Sequence, residues 1–127
     1  MIFLPRGGAD KEEKLKDEKI FIPNELPILP LRGTVLFPDL ILPIMVGRKR
    51  SVKLIDDAMD SDRLVGIVTQ KRSEIEDPRE SDLYSIGVAA LILRMIRELD
   101  GSQRVIVQGV SRIKIKEFFH KEPYYKA

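Results

Sequence analysis

Residues 26–38 read LPILPLRGTVLFP, a stretch in which prolines punctuate aliphatic residues. Proline has no N–H to donate to a sheet ladder, so residues 26–31 are predicted to form an edge strand or a strand end. Arg32, Gly33 and Thr34 then interrupt the apolar pattern. A second apolar run over residues 40–46 predicts a strand of about five to seven residues, which ends at Gly47. The folded part of the chain is therefore predicted to begin with β-structure.

Residues 48–60 carry the only clear helical pattern outside the N-terminal tail. Their apolar side chains recur with the spacing of one helix face, at Val52, Leu54, Ile55, Ala58 and Met59. The basic residues of this segment stand at its N-terminal end and the acidic residues toward its C-terminal end. The helix dipole favours the opposite order. Local propensity does not explain this order, which indicates a requirement elsewhere in the molecule.

The rest of the chain predicts further strands. Residues 64–69 are a buried strand by composition, and residues 71–82 are a charged loop that we expect to be exposed and mobile. Residues 83–99 form a long strand in which Gly87 suggests a bulge or a bend. Asp100 and Gly101 predict a hairpin turn. A two-residue loop would place Arg97 opposite Arg104, so a longer or bulged loop is expected.

The return strand is predicted over residues 103–108, and Gly109 is expected to bend the chain. Residues 111–119 alternate, with Ile113 and Ile115 on one side and three basic residues on the other. Residues 123–127 resemble the start of another strand. In total, about five to seven mostly antiparallel strands and one helix are expected. The predicted fold class is mainly β (α+β), a small barrel or strongly bent sheet with the helix plugging one side.

Composition bounds both the organisation and the function of the chain. Its 127 residues, 43% of them hydrophobic, suit one domain over residues 25–127. Residues 1–24 are predicted to be a disordered tail, because nine of the ten residues 10–19 are charged. A net charge of +2 argues against a dedicated nucleic-acid binder. There is no cysteine and no apolar run of about 20 residues, so we expect a cytoplasmic protein without a membrane span.

The motifs of catalysis are missing from the sequence. It contains no phosphate-binding loop, no dinucleotide-binding fingerprint and no zinc-binding motif. The single histidine, His120, is interpreted as an exposed residue near a strand end. The carboxylate groups at Glu74, Glu76 and Asp77 and on the helix are interpreted as solvated surface. No catalytic residue and no metal ligand is therefore predicted.

Two surfaces remain as candidate sites. The apolar, proline-flanked stretch is expected to expose part of its side chains, and an exposed apolar patch marks a protein-binding surface. The substrate-binding candidates are Leu36, Phe37, Pro38 and Leu40. The basic start of the helix is the candidate for contact with a partner or for assembly. Its residues are Arg48, Lys49, Arg50 and Lys53.

Residues 26–38 also resemble the opening signature of the N-terminal domain of Lon-type ATP-dependent proteases, L-P-x-L-P-L-R followed by [FY]-P. The resemblance continues through Leu42-Pro43-Ile44, the pair Gly47-Arg48, the strand Ile86-Gly87-Val88-Ala89-Ala90 and residues 107–112. It covers about residues 26–127.

The resemblance implies a PUA-like bent antiparallel sheet, or pseudo-barrel, with one helix. It implies a domain that binds unfolded or damaged proteins and helps to hold a homo-oligomer, a hexamer, together. No cofactor is expected in these residues, because ATP, Mg²⁺ and the serine peptidase site of the family belong to other modules. One alternative is a stand-alone Lon-domain binding protein. Another is a nucleic-acid-binding PUA-like module that uses the group Arg48, Lys49 and Arg50 together with the strand face of Arg112, Lys114 and Lys116. A purely assembling domain is a further alternative, compatible with client binding.

Overall fold

A computed structural model describes residues 21–33, 35–119 and 121–127. The predicted exposure of His120 and most of the predicted tail lie outside these residues. The described part contains five strands, one α-helix and one short 3-10 helix at Glu80–Asp82. The elements are β1 (Ile28–Leu31), β2 (Ile41–Val46), α1 (Lys49–Met59), β3 (Leu64–Thr69), β4 (Ile86–Arg97) and β5 (Gln103–Lys114).

The five strands form one sheet in the order β1-β3-β4-β5-β2. Strands β1 and β3 are parallel, and the other three pairings are antiparallel. The mainly β fold with one helix is therefore confirmed, and β1 is the edge strand that its prolines predicted. The opposite edge strand, β2, contains a proline as well. Pro30 and Pro43 thus stand at the two edges, where a missing N–H breaks no ladder hydrogen bond.

Both faces of the sheet are buried along β3. Val65 and Ile67 belong to one apolar cluster, which α1 covers with Leu54 and Ile55. Leu64 belongs, with Val68, to a second cluster that includes Leu26 and Tyr125. Successive side chains of a strand point to opposite faces, so a continuous apolar run such as β3 has to be covered on both sides. The helix and the buried strand were both predicted correctly.

The β4–β5 hairpin closes through a loop longer than two residues, as the sequence predicted. The N–H of Glu98 donates to the carbonyl of Ser102 at 2.8 Å, which leaves residues 99–101 as the loop. Gly101 adopts a φ of +92°, a value that favours glycine at this position of a three-residue loop. As a result, Arg97 faces Gln103, and Arg104 faces Ile96.

Two glycines of the β4–β5 hairpin lie where another part of the backbone approaches closely. The register shifts of the β4–β5 ladder lie after Ala89 and Ile92, so the bulge expected at Gly87 is wrong, and the alternative of a bend there stays a prediction. A Cβ at Gly87 would lie 2.4 Å from the carbonyl oxygen of Ile67, and close approach of two strands is what requires glycine there. The return strand and the segment after Gly109 were predicted separately but form one strand, because β5 continues through Gly109 to Lys114. The bend expected at Gly109 stays a prediction; a register shift lies beside it, since Ala89 faces Ser111 and Ala90 faces Gly109.

Most side chains of the charged loop after β3 are exposed, but backbone carbonyls of the loop accept hydrogen bonds from the rest of the domain. The Gln70 Nε2 donates to the carbonyls of Arg72 (3.1 Å) and Ile75 (2.8 Å). Further along, the hydroxyl of Tyr125 donates to the carbonyl of buried Pro78 at 2.7 Å. The loop is therefore joined to the body at several points, and its predicted mobility stays a prediction.

The C-terminal segment pairs with the outer edge of β1 at isolated points and forms no regular strand. The N–H of Ile28 donates to the carbonyl of Tyr125 at 2.8 Å. Leu26 and Ala127 exchange two hydrogen bonds, of 2.9 and 3.0 Å. The expected additional strand is thus reduced to one bridge, between Pro27 and Lys126.

Candidate functional site

A tight turn over residues 37–40 leads the chain into β2. The N–H of Leu40 donates to the carbonyl of Phe37 at 3.2 Å, and Asp39 has a φ of +68°. Proline followed by a residue with positive φ is the pattern of a type II turn, with Pro38 at its second position. Gly109 on β5 binds this turn, accepting from the Asp39 N–H (2.8 Å) and donating to the Leu40 carbonyl (2.9 Å). The turn is thereby fixed against the sheet.

The turn exposes two of the predicted substrate-binding side chains. Phe37 is 53% exposed and Leu40 is 43% exposed, while Pro38 is half-buried. Leu36 is only 4% exposed and packs in the cluster beneath α1. The prediction is therefore corrected at Leu36. The side chains of residues 35–37 alternate between solvent and core, so the neighbour of an exposed Phe37 points inward.

The exposed apolar surface continues along β2. Ile41 (46% exposed) and Met45 (58% exposed) share one face of the strand with Pro43, while Ile44 and Val46 point into the core. We call this surface the apolar face; it comprises Phe37, Leu40, Ile41, Pro43 and Met45. Ile41 and Met45 are not among the substrate-binding residues predicted from the sequence. The alternation of an edge strand that is buried on one side only was the signal for them.

Three of the four predicted basic contact residues are engaged within the chain. An Nη2 donor of Arg48 reaches the Ile75 carbonyl at 3.2 Å. Arg50 binds the Glu122 carboxylate at 2.6 Å and the Lys121 carbonyl at 3.1 Å. Lys53 pairs with Asp57, one turn further along the helix, at 3.0 Å. Within the described part of the chain, Lys49 alone among the four has no hydrogen bond or ion pair.

The acidic residues of α1 make matching contacts at the other end of the helix. Asp56 Oδ1 accepts from Arg97 and from Gln103, both at 2.8 Å. Asp57 Oδ2 accepts from the Tyr124 hydroxyl at 2.7 Å. The hydrogen bond from Tyr124, and then that from Lys53, lowers the pKa of the Asp57 carboxyl. The reversed charge order of the helix therefore matches tertiary contacts at both ends.

A cleft of about 520 Å³ lies between the two edge strands of the sheet. Most of its lining is apolar and comes from residues 29–31 of β1 and residues 42–46 of β2. Arg32, Arg48 and Ser51 complete the wall. The cleft is thus an apolar opening with cationic groups in its lining.

The described residues contain neither a membrane-spanning helix nor a cluster of metal-binding side chains. No helix there is both long enough and apolar enough to cross a membrane. In the same residues, no group of three or more His, Asp or Glu side chains is arranged to hold a metal ion. The expectation that these residues need no cofactor stays a prediction.

Comparison with known proteins agrees with the fold and the motifs. The model of the ATP-dependent protease La (LON) substrate-binding domain family matches residues 25–127. The chain belongs to this family. The Lon protease of Dictyoglomus thermophilum is 43% identical over 116 residues, which are 91% of this chain and 14% of that protein. The Lon protease of Flavobacterium johnsoniae is 45% identical over 124 residues, 98% of this chain and 15% of that protein.

Solved structures of Lon N-terminal domains share the fold. The N-terminal domain of a Mycobacterium avium complex Lon protease aligns with a TM-score of 0.61 and 24% identity, over 81% of this chain and 51% of that one. A Lon N-terminal domain protein from Xanthomonas campestris aligns with a TM-score of 0.62 and 17% identity, over 82% and 56%. The resemblance seen in residues 26–38 is confirmed. This Lon domain spans about one seventh of its curated relatives.

Proposed function

We propose that this Lon domain captures unfolded or damaged polypeptide segments for an ATP-dependent serine protease. The observation that supports the proposal is the apolar face, whose exposed side chains lie on a turn and an edge strand held rigidly by β5. The family description, a substrate-binding domain, names the same kind of role. Folded proteins bury such apolar segments, so contact with the apolar face would select chains that have lost their structure.

The contact would be made by side chains more than by the backbone. Pro43 has no N–H, so a client strand added to the free edge of β2 would lack one hydrogen-bond donor in the middle of the edge. Apolar contact stabilises by about 25 cal/mol per Å² of buried surface and requires no particular sequence. One small face would therefore bind weakly. Several copies in one assembly would raise the apparent affinity.

The properties of the whole protein are part of this proposal. We expect a cytoplasmic homo-oligomer, a hexamer, that uses ATP, Mg²⁺ and a serine peptidase site in modules other than residues 25–127. The assembly role of Arg48, Lys49, Arg50 and Lys53 stays a prediction, which the internal contacts of three of them make less favourable. A nucleic-acid role for Arg112, Lys114 and Lys116, all exposed, would require binding that weakens steeply with salt.

The test is a titration of the isotope-labelled chain with a permanently unfolded protein, followed by NMR chemical shifts. Shifts are expected at residues 35–46. Phe37→Asp and Leu40→Asp should each weaken binding about tenfold, because each places a charge in an apolar contact. Tyr84→Asp and Leu99→Asp are the matched controls, since both residues are exposed and lie outside the apolar face. If all four variants bind the unfolded protein equally, the apolar face is not the site.

A further inference from the structure

The cleft between β1 and β2 shares Pro43 and Met45 with the apolar face, but its lining also contains the cationic side chains of Arg32 and Arg48. Its walls are two edge strands with a proline in each, so neither edge offers a full row of backbone donors to close the gap. Its apolar lining, over residues 29–31 and 42–46, fits a few aliphatic side chains. A volume of about 520 Å³ is sufficient for the last two or three residues of a peptide.

Positive charge accumulates where α1 begins in this cleft. The helix has no side-chain cap at Arg48 and no acidic residue in its first turn, so no residue of the helix itself offsets the dipole at this end. The nearest acidic side chains, Glu76 and Asp77, belong to the loop after β3. Burial and the nearby Arg32 lower the pKa of Arg48, whereas Asp77 and Glu76 act in the opposite sense. In the described part of the chain, Arg32 forms no hydrogen bond and no ion pair.

Ser51 provides an independent indication of a ligand. Its side chain is 6% exposed, lies in the first turn of α1 and lines the cleft. Among the described residues its hydroxyl has no hydrogen-bond partner. A hydroxyl that lines a cleft beside the first N–H groups of a helix is arranged to donate to an anion bound there.

We propose that this cleft binds the C-terminal end of a client polypeptide. The last apolar side chains lie between β1 and β2, and the free carboxylate accepts hydrogen bonds from Ser51 and the first turn of α1, with Arg32 and Arg48 neutralising its charge. The inference rests on the proposed function, because it specifies one class of client. Two other anions fit the cleft less well. A phosphate ion would leave the apolar walls uncovered. The carboxylate of an internal Asp or Glu would require the cleft to admit the client chain on both sides of that residue.

The test compares two synthetic peptides that end in three leucines and differ only in their last group. One has a free C-terminal carboxylate and the other a C-terminal amide. Binding of each to the 127-residue chain is measured by NMR chemical shifts. The carboxylate peptide should bind about tenfold more tightly, with shifts at residues 29–32, 42–48 and 51, because hydrogen bonds to a charged group are the stronger kind.

Substitutions then assign the preference to the cleft. Arg32→Gln and Ser51→Ala should each reduce the difference between the two peptides, whereas Arg112→Gln, which removes the same charge from the far end of β5, should leave it unchanged. Equal binding of both peptides, or no binding of either, would overturn the cleft assignment. The cleft assignment would also be overturned if inorganic phosphate competed with the carboxylate peptide and the leucines added nothing to the affinity. Pro43 and Met45 belong to both surfaces, so the variants separate the two proposals: Phe37 and Leu40 lie outside the lining of the cleft, and Arg32 and Ser51 lie outside the apolar face. Loss of the carboxylate preference with unchanged effects of Phe37→Asp and Leu40→Asp would overturn the cleft assignment alone.

Discussion

The hydroxyl of Tyr124 donates a 2.7 Å hydrogen bond to the carboxylate of Asp57, which joins the C-terminal segment to the helix. Tyr124 is buried in the same apolar cluster that α1 covers. Burial, and then the bond to Asp57, raises the pKa of Tyr124 to about 12. The bond therefore connects residues 67 positions apart in sequence and stabilises the closure of the fold.

Tyr124→Phe should destabilise the domain by about 1.5–3 kcal/mol, the range for a hydrogen bond to a charged group. The ring stays in place, so the loss belongs to the hydroxyl and not to packing. Urea unfolding at neutral pH measures it. The control is Tyr84→Phe at an exposed ring, which should change the free energy of unfolding by less than about 0.5 kcal/mol. Equal stability of the wild type and Tyr124→Phe would show that the bond is not formed in solution.

The same pair predicts losses of stability at both ends of the pH scale. Asp57 has a lowered pKa when folded, so its contribution is present above the ordinary carboxyl pKa of about 4 and is lost as pH falls through the lower folded value. Tyr124 has a raised pKa, so its contribution is complete below about pH 10 and is lost as pH rises toward 12. Unfolding measured against pH should show both declines. The alkaline decline should be smaller in Tyr124→Phe, and an unchanged alkaline profile would contradict the assignment.

Gly109→Ala should displace the turn that carries Phe37. An added Cβ would lie 2.3 Å from the Phe37 carbonyl oxygen, a backbone atom that cannot move aside alone. We expect a loss of about 1–3 kcal/mol, as for other overpacked sites, together with weaker binding of unfolded protein. Gly47→Ala is the matched control, since its Cβ would meet only the Ser102 side chain at 4.0 Å. Thermal unfolding measures the stability of both variants. Equal stability of Gly109→Ala and Gly47→Ala would show that Gly109 does not approach the Phe37 carbonyl closely.

Asp56 and Gln103 should respond unequally to substitution. Gln103 is fully buried; its Nε2 donates to Asp56, and its Oε1 has no partner among the described residues. Asp56→Ala leaves the buried Nε2 unsatisfied and should cost about 1–3 kcal/mol. Gln103→Leu removes the buried polar group itself and should cost less than about 1 kcal/mol. In the double variant the cost of Asp56→Ala should largely disappear, and simple additivity in a double-mutant cycle would exclude this coupling.

Gln70→Ala should release the loop that follows β3. The two hydrogen bonds from Gln70 Nε2 to the carbonyls of Arg72 and Ile75 would be lost. Amide hydrogen exchange of residues 71–77 should become faster, while β4 and β5 keep their protection. Lys71→Ala, at an exposed position beside it, is the control. Unchanged exchange in the loop would indicate that other contacts hold it.

The periodic elements of this fold could be predicted from the sequence. The helical spacing of Ile55 and Ala58, the unbroken apolar run of β3 and the prolines of the edge strands each follow from local rules of burial and hydrogen bonding. The glycines could not be interpreted in the same way. Gly87 and Gly109 are required by backbone atoms of Ile67 and Phe37, which approach them from distant parts of the chain.

The candidate site was predicted only in part, because some of its features depend on contacts with distant parts of the chain. Phe37 and Leu40 stand next to prolines, a local sign of exposure, whereas the burial of Leu36 depends on how the turn packs against β5. The basic residues Arg48 and Arg50 resembled a free patch because their acceptors, the carbonyl of Ile75 and the carboxylate of Glu122, are 27 and 72 positions away. Charge in sequence indicates a surface, but only the fold shows which charges are already paired.

The pairing of Leu26 with Ala127 determines how this domain responds to mechanical force. The two residues lie side by side in antiparallel backbone, so tension applied through both would open their hydrogen bonds first and that between Ile28 and Tyr125 next. Bonds loaded one after another resist less than bonds loaded together in shear. Pulling would therefore peel the C-terminal segment from β1 at low force and free Tyr124 from Asp57 before the β3–β4–β5 ladders carry any load.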